Sequence, residues 1–114
     1  MSLNAKQARF TLKIAELIIW ANKQGIQVIG SELYRTREQA ALYAAQNKGI
    51  LSSVHTKRLA LDLYIFKGGT ITWDTDDYRP LGEKWRKMDT EARWGGDFKN
   101  RDCVHFSFEH KGIK

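Results

Sequence analysis

The sequence predicts an α+β fold in which helices flank a small, mostly antiparallel sheet. Three segments carry apolar residues at the spacing of an amphipathic helix, and four others have the short runs or alternating apolar pattern of strands. A Gly-Gly pair between two of the strand segments indicates a hairpin, which makes those two strands antiparallel. Helices segregated from an antiparallel sheet are typical of α+β proteins.

Each predicted helix has an apolar face or a recognisable boundary. The first ends at Gln24-Gly25, and its buried face consists of Phe10, Ile14, Leu17, Ile18 and Ala21. The second begins with the capping box of residues 36–39 and ends near residues 47–49. The third starts near residues 76–80 and buries a stripe made of Leu81, Trp85 and Met88.

The predicted strands differ in how they are buried. Residues 26–29 are rich in β-branched side chains and predict a buried strand. In residues 59–66 the leucines and Ile65 share one face, and Ala60, Asp62, Tyr64 and Phe66 share the other. Residues 70–73 return after the turn at Gly68-Gly69, and a last strand runs from Cys103 to Glu109. His105 and Ser107 lie on the face of that strand opposite its apolar residues.

Length and composition indicate one globular domain spanning residues 1–114. Apolar residues make up 42% and charged residues 28%, which is typical of globular rather than disordered proteins. Cys103 is the sole cysteine, so an internal disulfide is excluded. The longest apolar stretch, residues 14–21, is far shorter than the ~20 residues of a membrane span. No signal peptide is visible, so we expect the chain to be made in the cytoplasm. We also expect a monomer that is not inserted in a membrane.

Asp62 and two histidines are polar residues whose positions suggest a role beyond the fold. Asp62 lies in the middle of an apolar strand, where an unpaired carboxylate is strongly disfavoured. An ion pair or a hydrogen bond to a carbonyl explains either Asp62 or His105 taken alone. With His55, however, they give two imidazoles and one carboxylate, a ligand set that suits a catalytic zinc site. Asp102, three residues before His105, adds a carboxylate that can act as a general base on water.

Three motifs in the right order resemble those of the M15 peptidases, which are zinc peptidoglycan peptidases with the Hedgehog/DD-peptidase fold. The family pattern is Y-R-[ST], then S-x-H-x-x-G-x-A-x-D, then D/E-x-x-H. The chain has Tyr34-Arg35-Thr36, then the segment from Ser53 to Asp62, then the segment from Asp102 to His105. The W-G-G-D sequence at residues 94–97 is similar to that of the phage-type members, and the resemblance covers roughly residues 26–108.

The resemblance implies a role for each matching residue. His55, Asp62 and His105 would be the ligands of a Zn²⁺ cofactor, and Asp102 would be the general base. Arg35 would polarise the scissile carbonyl or stabilise the oxyanion. The residues alone leave Arg35 an alternative role as an ordinary ion-pair partner.

Two further positions have implied contacts with the substrate, and one position departs from the pattern. Ser53 would hydrogen-bond the substrate or Asp62, although a serine there is also an ordinary turn residue. Trp94 would line the cleft, with a place in the core beneath the Gly-Gly turn as the alternative. Arg58 stands where the pattern has glycine, so this residue either tolerates an ordinary φ or reshapes the loop.

The sequence therefore predicts zinc-dependent hydrolysis of an amide bond in peptidoglycan stem peptides at the bacterial cell wall. An endolysin-type L-alanyl-D-glutamate endopeptidase is favoured by the small size and the W-G-G-D stretch, and a D-Ala-D-Ala carboxypeptidase is the alternative within the family. Outside enzymes, the alternatives are a basic nucleic-acid-binding module and a metal-free wall-binding relic. The net charge of +6 favours an anionic partner. No nucleic-acid-binding motif is present, however, so we expect stem peptides and not nucleic acid.

Overall fold

The computed structural model describes residues 2–31, 36, 38–39, 42 and 54–114. Its helices and strands are α1 (Leu3–Lys23), β1 (Gln27–Gly30), β2 (Ala60–Lys67), β3 (Thr70–Ile71), α2 (Thr75–Met88), β4 (Ala92–Trp94) and β5 (His105–Phe108). Short 3₁₀ turns cover Val54–Lys57 and Gly95–Asp97. The described strands pair antiparallel in the order β1-β2-β5-β4, and β3 pairs with the end of β2. The predicted α+β class is confirmed.

Helix α1 has the predicted end and the predicted buried face. Gly25 follows the last turn with φ 77°, the left-handed conformation that glycine adopts readily at the end of a helix. The buried face consists of Phe10, Ile14, Leu17 and Ala21. The ring of Phe10 meets Trp85 of α2 edge-on at 5.7 Å and Phe108 of β5 at 5.2 Å. These contacts pack α1 against both α2 and the sheet.

The hairpin between β2 and β3 forms as predicted, although its return strand is shorter. Gly68 and Gly69 have φ of 61° and 84°, as a tight hairpin turn requires. The chain then leaves the sheet because the Thr72 carbonyl accepts a hydrogen bond from the hydroxyl of buried Tyr78 at 2.8 Å. The same hydroxyl accepts from the Ile65 amide at 2.8 Å. Tyr78 therefore ties α2 to both strands of the hairpin.

The two faces of the sheet have different surroundings. The face towards the helices is apolar. Fully buried side chains from the strands and the helices meet there, among them Phe10, Leu17, Leu63, Trp85, Trp94, Phe106 and Phe108. The other face carries Asp62, Tyr64, His105 and Ser107, as the predicted alternation requires. The candidate functional residues of β2 and β5 therefore share the face that points away from the main helices.

An ionic cluster joins the start of α1 to the segment before β4. The Lys6 ammonium lies 2.6 Å from Glu91, and the Arg9 guanidinium lies 2.6 Å from Glu91 and 2.8 Å from Asp89. Hydrogen bonds from Lys6 and then Arg9 hold the pKa of Glu91 below its ordinary value of 4.5. This cluster stabilises the folded chain most when Glu91 is ionised.

The predicted burial of the strand at residues 26–29 is wrong, and the predicted second helix is described only in part. Residues 26–29 were expected to be buried, but β1 is largely exposed, with only Val28 half-buried. The reason is its place at the edge of the described sheet, where Ile29 stands opposite Tyr64, on the face away from the helices. In the predicted second helix, the Gln39 amide donates to the Thr36 hydroxyl at 3.0 Å. Most of that helix lies outside the described residues.

No described helix combines the length and the apolar character needed to cross a membrane.

Candidate metal centre and catalytic site

Two strands and one 3₁₀ turn bring His55, Asp62 and His105 together. Asp62 and His105 are directly opposite each other in the β2-β5 pair, so their side chains leave the same face of the sheet. The Asp62 Oδ1 atom lies 3.7 Å from Nε2 of His55 and 3.8 Å from Nδ1 of His105. One ligand atom from each residue lies within 4.8 Å of the other two. The three residues predicted to gather around one point do so.

The donor set fits a metal ion in chemistry, spacing and burial. His55 and His105 are 4% and 6% exposed, and the side chain of Asp62 is 19% exposed. The two Asp62–imidazole distances are longer than hydrogen bonds. They approach the separation of about 3.4 Å expected between two ligands bound tetrahedrally at about 2.1 Å. Two imidazoles and one carboxylate are a ligand set that zinc accepts, with one position left for water or substrate.

The other nitrogen of His105 is engaged in a contact that fixes the ring. His105 Nε2 lies 2.8 Å from the backbone oxygen of Lys114, and the hydroxyl of Ser107 donates to the same oxygen at 3.3 Å. That oxygen can only accept, so Nε2 is the protonated nitrogen of a neutral His105 ring, and in that tautomer the lone pair of Nδ1 faces Asp62. Metal-binding histidines are commonly held this way by a carbonyl behind the ring.

Backbone hydrogen bonds also hold Asp62 and the turn that carries His55. Ser31 donates its amide to the Asp62 carbonyl at 3.1 Å, and its hydroxyl accepts from the Asp62 amide at 3.2 Å. In the His55 turn, the Leu59 amide donates to the carbonyl of buried Val54 at 3.1 Å. Arg58, at the end of this turn, has φ 55°. Arg58 thus adopts the left-handed backbone conformation that glycine usually occupies. The structure therefore contradicts the alternative in which Arg58 has an ordinary φ.

A close backbone approach supports the turn that carries Asp102 and His105. The Asp102 amide donates to the Gly95 carbonyl at 2.9 Å, and the Asp102 carbonyl accepts from the His105 amide at 3.1 Å. A Cβ atom on Gly95 would lie 2.0 Å from the Asp102 oxygen, so only glycine fits there without movement. Asp102 itself is exposed, three residues before β5 begins. The Gly-Gly loop therefore serves the site by holding this turn.

Trp94 is a core residue, contrary to its implied contact with the substrate. It is 0% exposed, and its Nε1 donates to the Cys103 carbonyl at 2.8 Å. A Cβ atom on Gly82 or Gly96 would lie 2.1 or 2.3 Å from its ring, so both glycines make room for the indole. With no exposed surface, Trp94 supports the loop from beneath and offers nothing to a ligand.

Arg35 and Ser53 lie outside the described residues, so their predicted roles remain predictions. Cys103 is buried, and burial raises the pKa of its thiol. It therefore behaves as a small packing residue.

Two aromatic residues beside the site were not singled out from the sequence. Tyr64 is two residues beyond Asp62 on the same face of β2, and Trp73 meets its ring edge-on at 5.7 Å. The alternation had already placed Tyr64 on the face of Asp62, which was an available signal. The predicted hairpin was a signal for Trp73, because the register that pairs Lys67 with Thr70 across the Gly68-Gly69 turn also sets Trp73 opposite Tyr64.

Comparison with known proteins finds relatives of most of the chain in sequence and in fold. No protein-family model matches the chain. The chain is 35% identical over 106 residues to the L-alanyl-D-glutamate peptidase of Listeria phage A118, which covers 85% of the chain and 36% of that protein. The chain thus spans about a third of the length of this relative. The structure resembles that of the Serratia marcescens L-Ala D-Glu endopeptidase ChiX, with a TM-score of 0.63 and 23% identity over 74% of this chain and 68% of that one. The expected resemblance to peptidoglycan peptidases is confirmed.

Proposed function

We propose that this chain hydrolyses the L-alanyl-D-glutamate bond of peptidoglycan stem peptides with zinc as its cofactor. Two similarities support the proposal: the chain is related in sequence to a phage L-alanyl-D-glutamate peptidase, and it shares its fold with an L-Ala D-Glu endopeptidase. The observation that carries the proposal is the convergence of His55, Asp62 and His105 on one face of the sheet. Neither a nucleic-acid-binding module nor an inert wall-binding domain needs this buried arrangement.

His55, Asp62 and His105 would hold the zinc ion through Nε2, Oδ1 and Nδ1, the atoms that face one another. Zinc would supply Lewis acidity and lower the pKa of a water molecule in the site. The protein's part is to keep three ligand side chains fixed and nearly dry, which strengthens every electrostatic interaction among them. The Lys114 oxygen behind His105 adds to this by orienting the ring.

Asp102 is proposed as the general base and acid. Its carboxylate accepts a proton from the attacking water and passes that proton to the leaving amine. Two features support this role: its place three residues before His105, and the hydrogen bond to Gly95 that fixes its backbone. Its exposure to solvent lets a peptide substrate reach it.

Arg35 and Ser53 complete the proposal on the basis of the resemblance alone. Arg35 would donate to the scissile carbonyl oxygen, where negative charge develops in the transition state. Ser53 would hydrogen-bond the substrate backbone. The site of action is the bacterial cell wall, and the net charge of +6 would favour approach to an anionic wall at low ionic strength. A single monomeric domain over residues 1–114 remains part of the proposal.

Digestion of purified peptidoglycan tests the proposal. Zinc-loaded protein is incubated with sacculi, and the products are identified by mass spectrometry. We expect stem peptides with a new amino-terminal D-glutamate, and no cleavage by the His105→Ala variant. His110→Ala is the matched control, because His110 is a histidine outside the three-residue cluster. Release of terminal D-alanine would instead identify the carboxypeptidase alternative, and intact sacculi would contradict the proposal.

A further inference from the structure

Trp73 differs from the other three tryptophans of the chain. Trp85 and Trp94 are fully buried, and Trp20 packs against the core. Trp73 is 64% exposed, the largest exposed fraction among the large apolar side chains that the structure describes. An indole that is mostly in water gains less from burial than the other three, and its large apolar ring is open to a ligand.

The structure holds Trp73 beside the candidate metal centre from two directions. Its ring meets that of Tyr64, which leaves the same face of β2 as Asp62. Its carbonyl oxygen accepts from the thiol of Cys103 at 3.7 Å, which links it to the turn between Asp102 and His105. Tyr64 and Trp73 together are called the aromatic wall below.

Neighbouring contacts fix the backbone on both sides of Trp73. The Thr72 amide donates to the Ile65 carbonyl at 3.0 Å, and the Thr72 hydroxyl donates to Asp77 at 2.6 Å. On the other side, Asp74 caps α2 by accepting from the Asp76 amide at 3.0 Å. An exposed aromatic ring on a fixed backbone is a ready binding surface, since little conformational entropy is lost when a ligand packs on it.

We propose that the aromatic wall binds a sugar ring of the glycan strand to which the stem peptide is attached. This inference rests on the proposed function, because L-alanine is the stem residue joined to muramic acid through its lactyl group. The C–H groups on one side of a pyranose form an apolar face that packs against the negative face of an aromatic ring. The stem residues next to the cut are small or charged and offer an indole little apolar area.

The spacing along the strand agrees with this assignment. Tyr64 is two residues beyond Asp62, which is about 7 Å at about 3.4 Å per strand residue. One alanine and one lactyl group separate the scissile carbonyl from the sugar, which is also about 7 Å at up to about 3.6 Å per unit. A stem peptide cut near Asp62 can therefore place its sugar at the aromatic wall.

The test compares two substrates that differ only in the sugar. One is a disaccharide-linked stem peptide, and the other is the same peptide with an acetyl group in place of the disaccharide. For Trp73→Ala we expect KM to rise about tenfold with the disaccharide-linked substrate, equal to about 1.4 kcal/mol. The KM for the acetyl peptide and both kcat values should stay within about twofold of the parent. Trp73→Phe should fall between parent and alanine variant, since it retains an aromatic ring.

Controls separate this inference from the proposed function. Leu12→Ala removes another exposed apolar side chain, 57% exposed on α1, and should change neither KM. Calorimetric binding of the disaccharide-linked peptide to chelator-treated protein gives a readout without turnover, and Trp73→Ala should weaken it about tenfold. If the parent cleaves neither substrate, the proposed function fails and the calorimetry still decides the role of Trp73. Equal effects on both substrates, or no effect on either, would overturn the assignment to a sugar.

Discussion

Replacing Arg58 with glycine should stabilise the protein, although the change removes a whole side chain. Arg58 has φ 55°. For a residue with a Cβ atom, the left-handed conformation lowers the free energy of unfolding by about 1–2 kcal/mol. Glycine avoids this cost but gives the unfolded chain more freedom, which offsets about 0.5–1 kcal/mol. We expect a net gain of about 0.5–1 kcal/mol in the free energy of unfolding, or a rise in Tm of about 2–5 °C.

Thermal and urea unfolding of matched variants measure this effect. Arg58→Ala is the control, because it removes the same side chain contacts and charge while keeping the strained backbone. The alanine variant should be no more stable than the parent. Lys111→Gly is a second case, since Lys111 has φ 50°. The reasoning is refuted if Arg58→Gly is no more stable than Arg58→Ala.

Two further substitutions test contacts that hold the fold together. Tyr78→Phe leaves the Ile65 amide and the Thr72 carbonyl without their buried partner, so urea unfolding should show a loss of about 1–3 kcal/mol with an unchanged m-value. Glu91→Gln tests the effect of the lowered pKa of the Glu91 carboxyl. The ionised carboxylate stabilises the fold above about pH 4.5, and this stabilisation is lost as the pH falls through the lower pKa of the folded state. Tm measured between about pH 7 and pH 3 should therefore fall less for the glutamine variant than for the parent, and parallel profiles would contradict the ionic account.

Local pattern was sufficient to predict the elements whose signals are local. The end of α1 at Gly25, the turn at Gly68 and the two faces of β2 depend on φ preferences and alternation, which adjacent residues determine. The strand at residues 26–29 was expected to be buried because its composition is apolar. Its exposure depends on strand order, since β1 lies at the edge of the described sheet. Strand order is set by long-range pairing that no local pattern encodes.

The candidate site shows the same division. Asp62 lies opposite His105 because β2 and β5 are neighbouring strands. The motifs that contain these two residues had made their proximity a reasonable expectation. The hydrogen-bonding distance between His105 and Lys114 was not predictable, because it depends on how residues 109–114 fold back. The position of Trp94 was left open between cleft and core. Contacts with glycines from two separate segments place it in the core.

Zinc binding by the parent protein and two histidine variants shows whether His55, Asp62 and His105 form a metal site. Each protein is loaded with zinc, freed of excess metal by gel filtration and analysed for metal content. We expect about one equivalent of zinc in the parent and in His110→Ala, since three ligands make one site. His105→Ala should lose it, with an affinity at least about 100-fold lower. A parent that retains no zinc, or a His105→Ala variant that retains as much as the parent, would show that these residues do not form a zinc site.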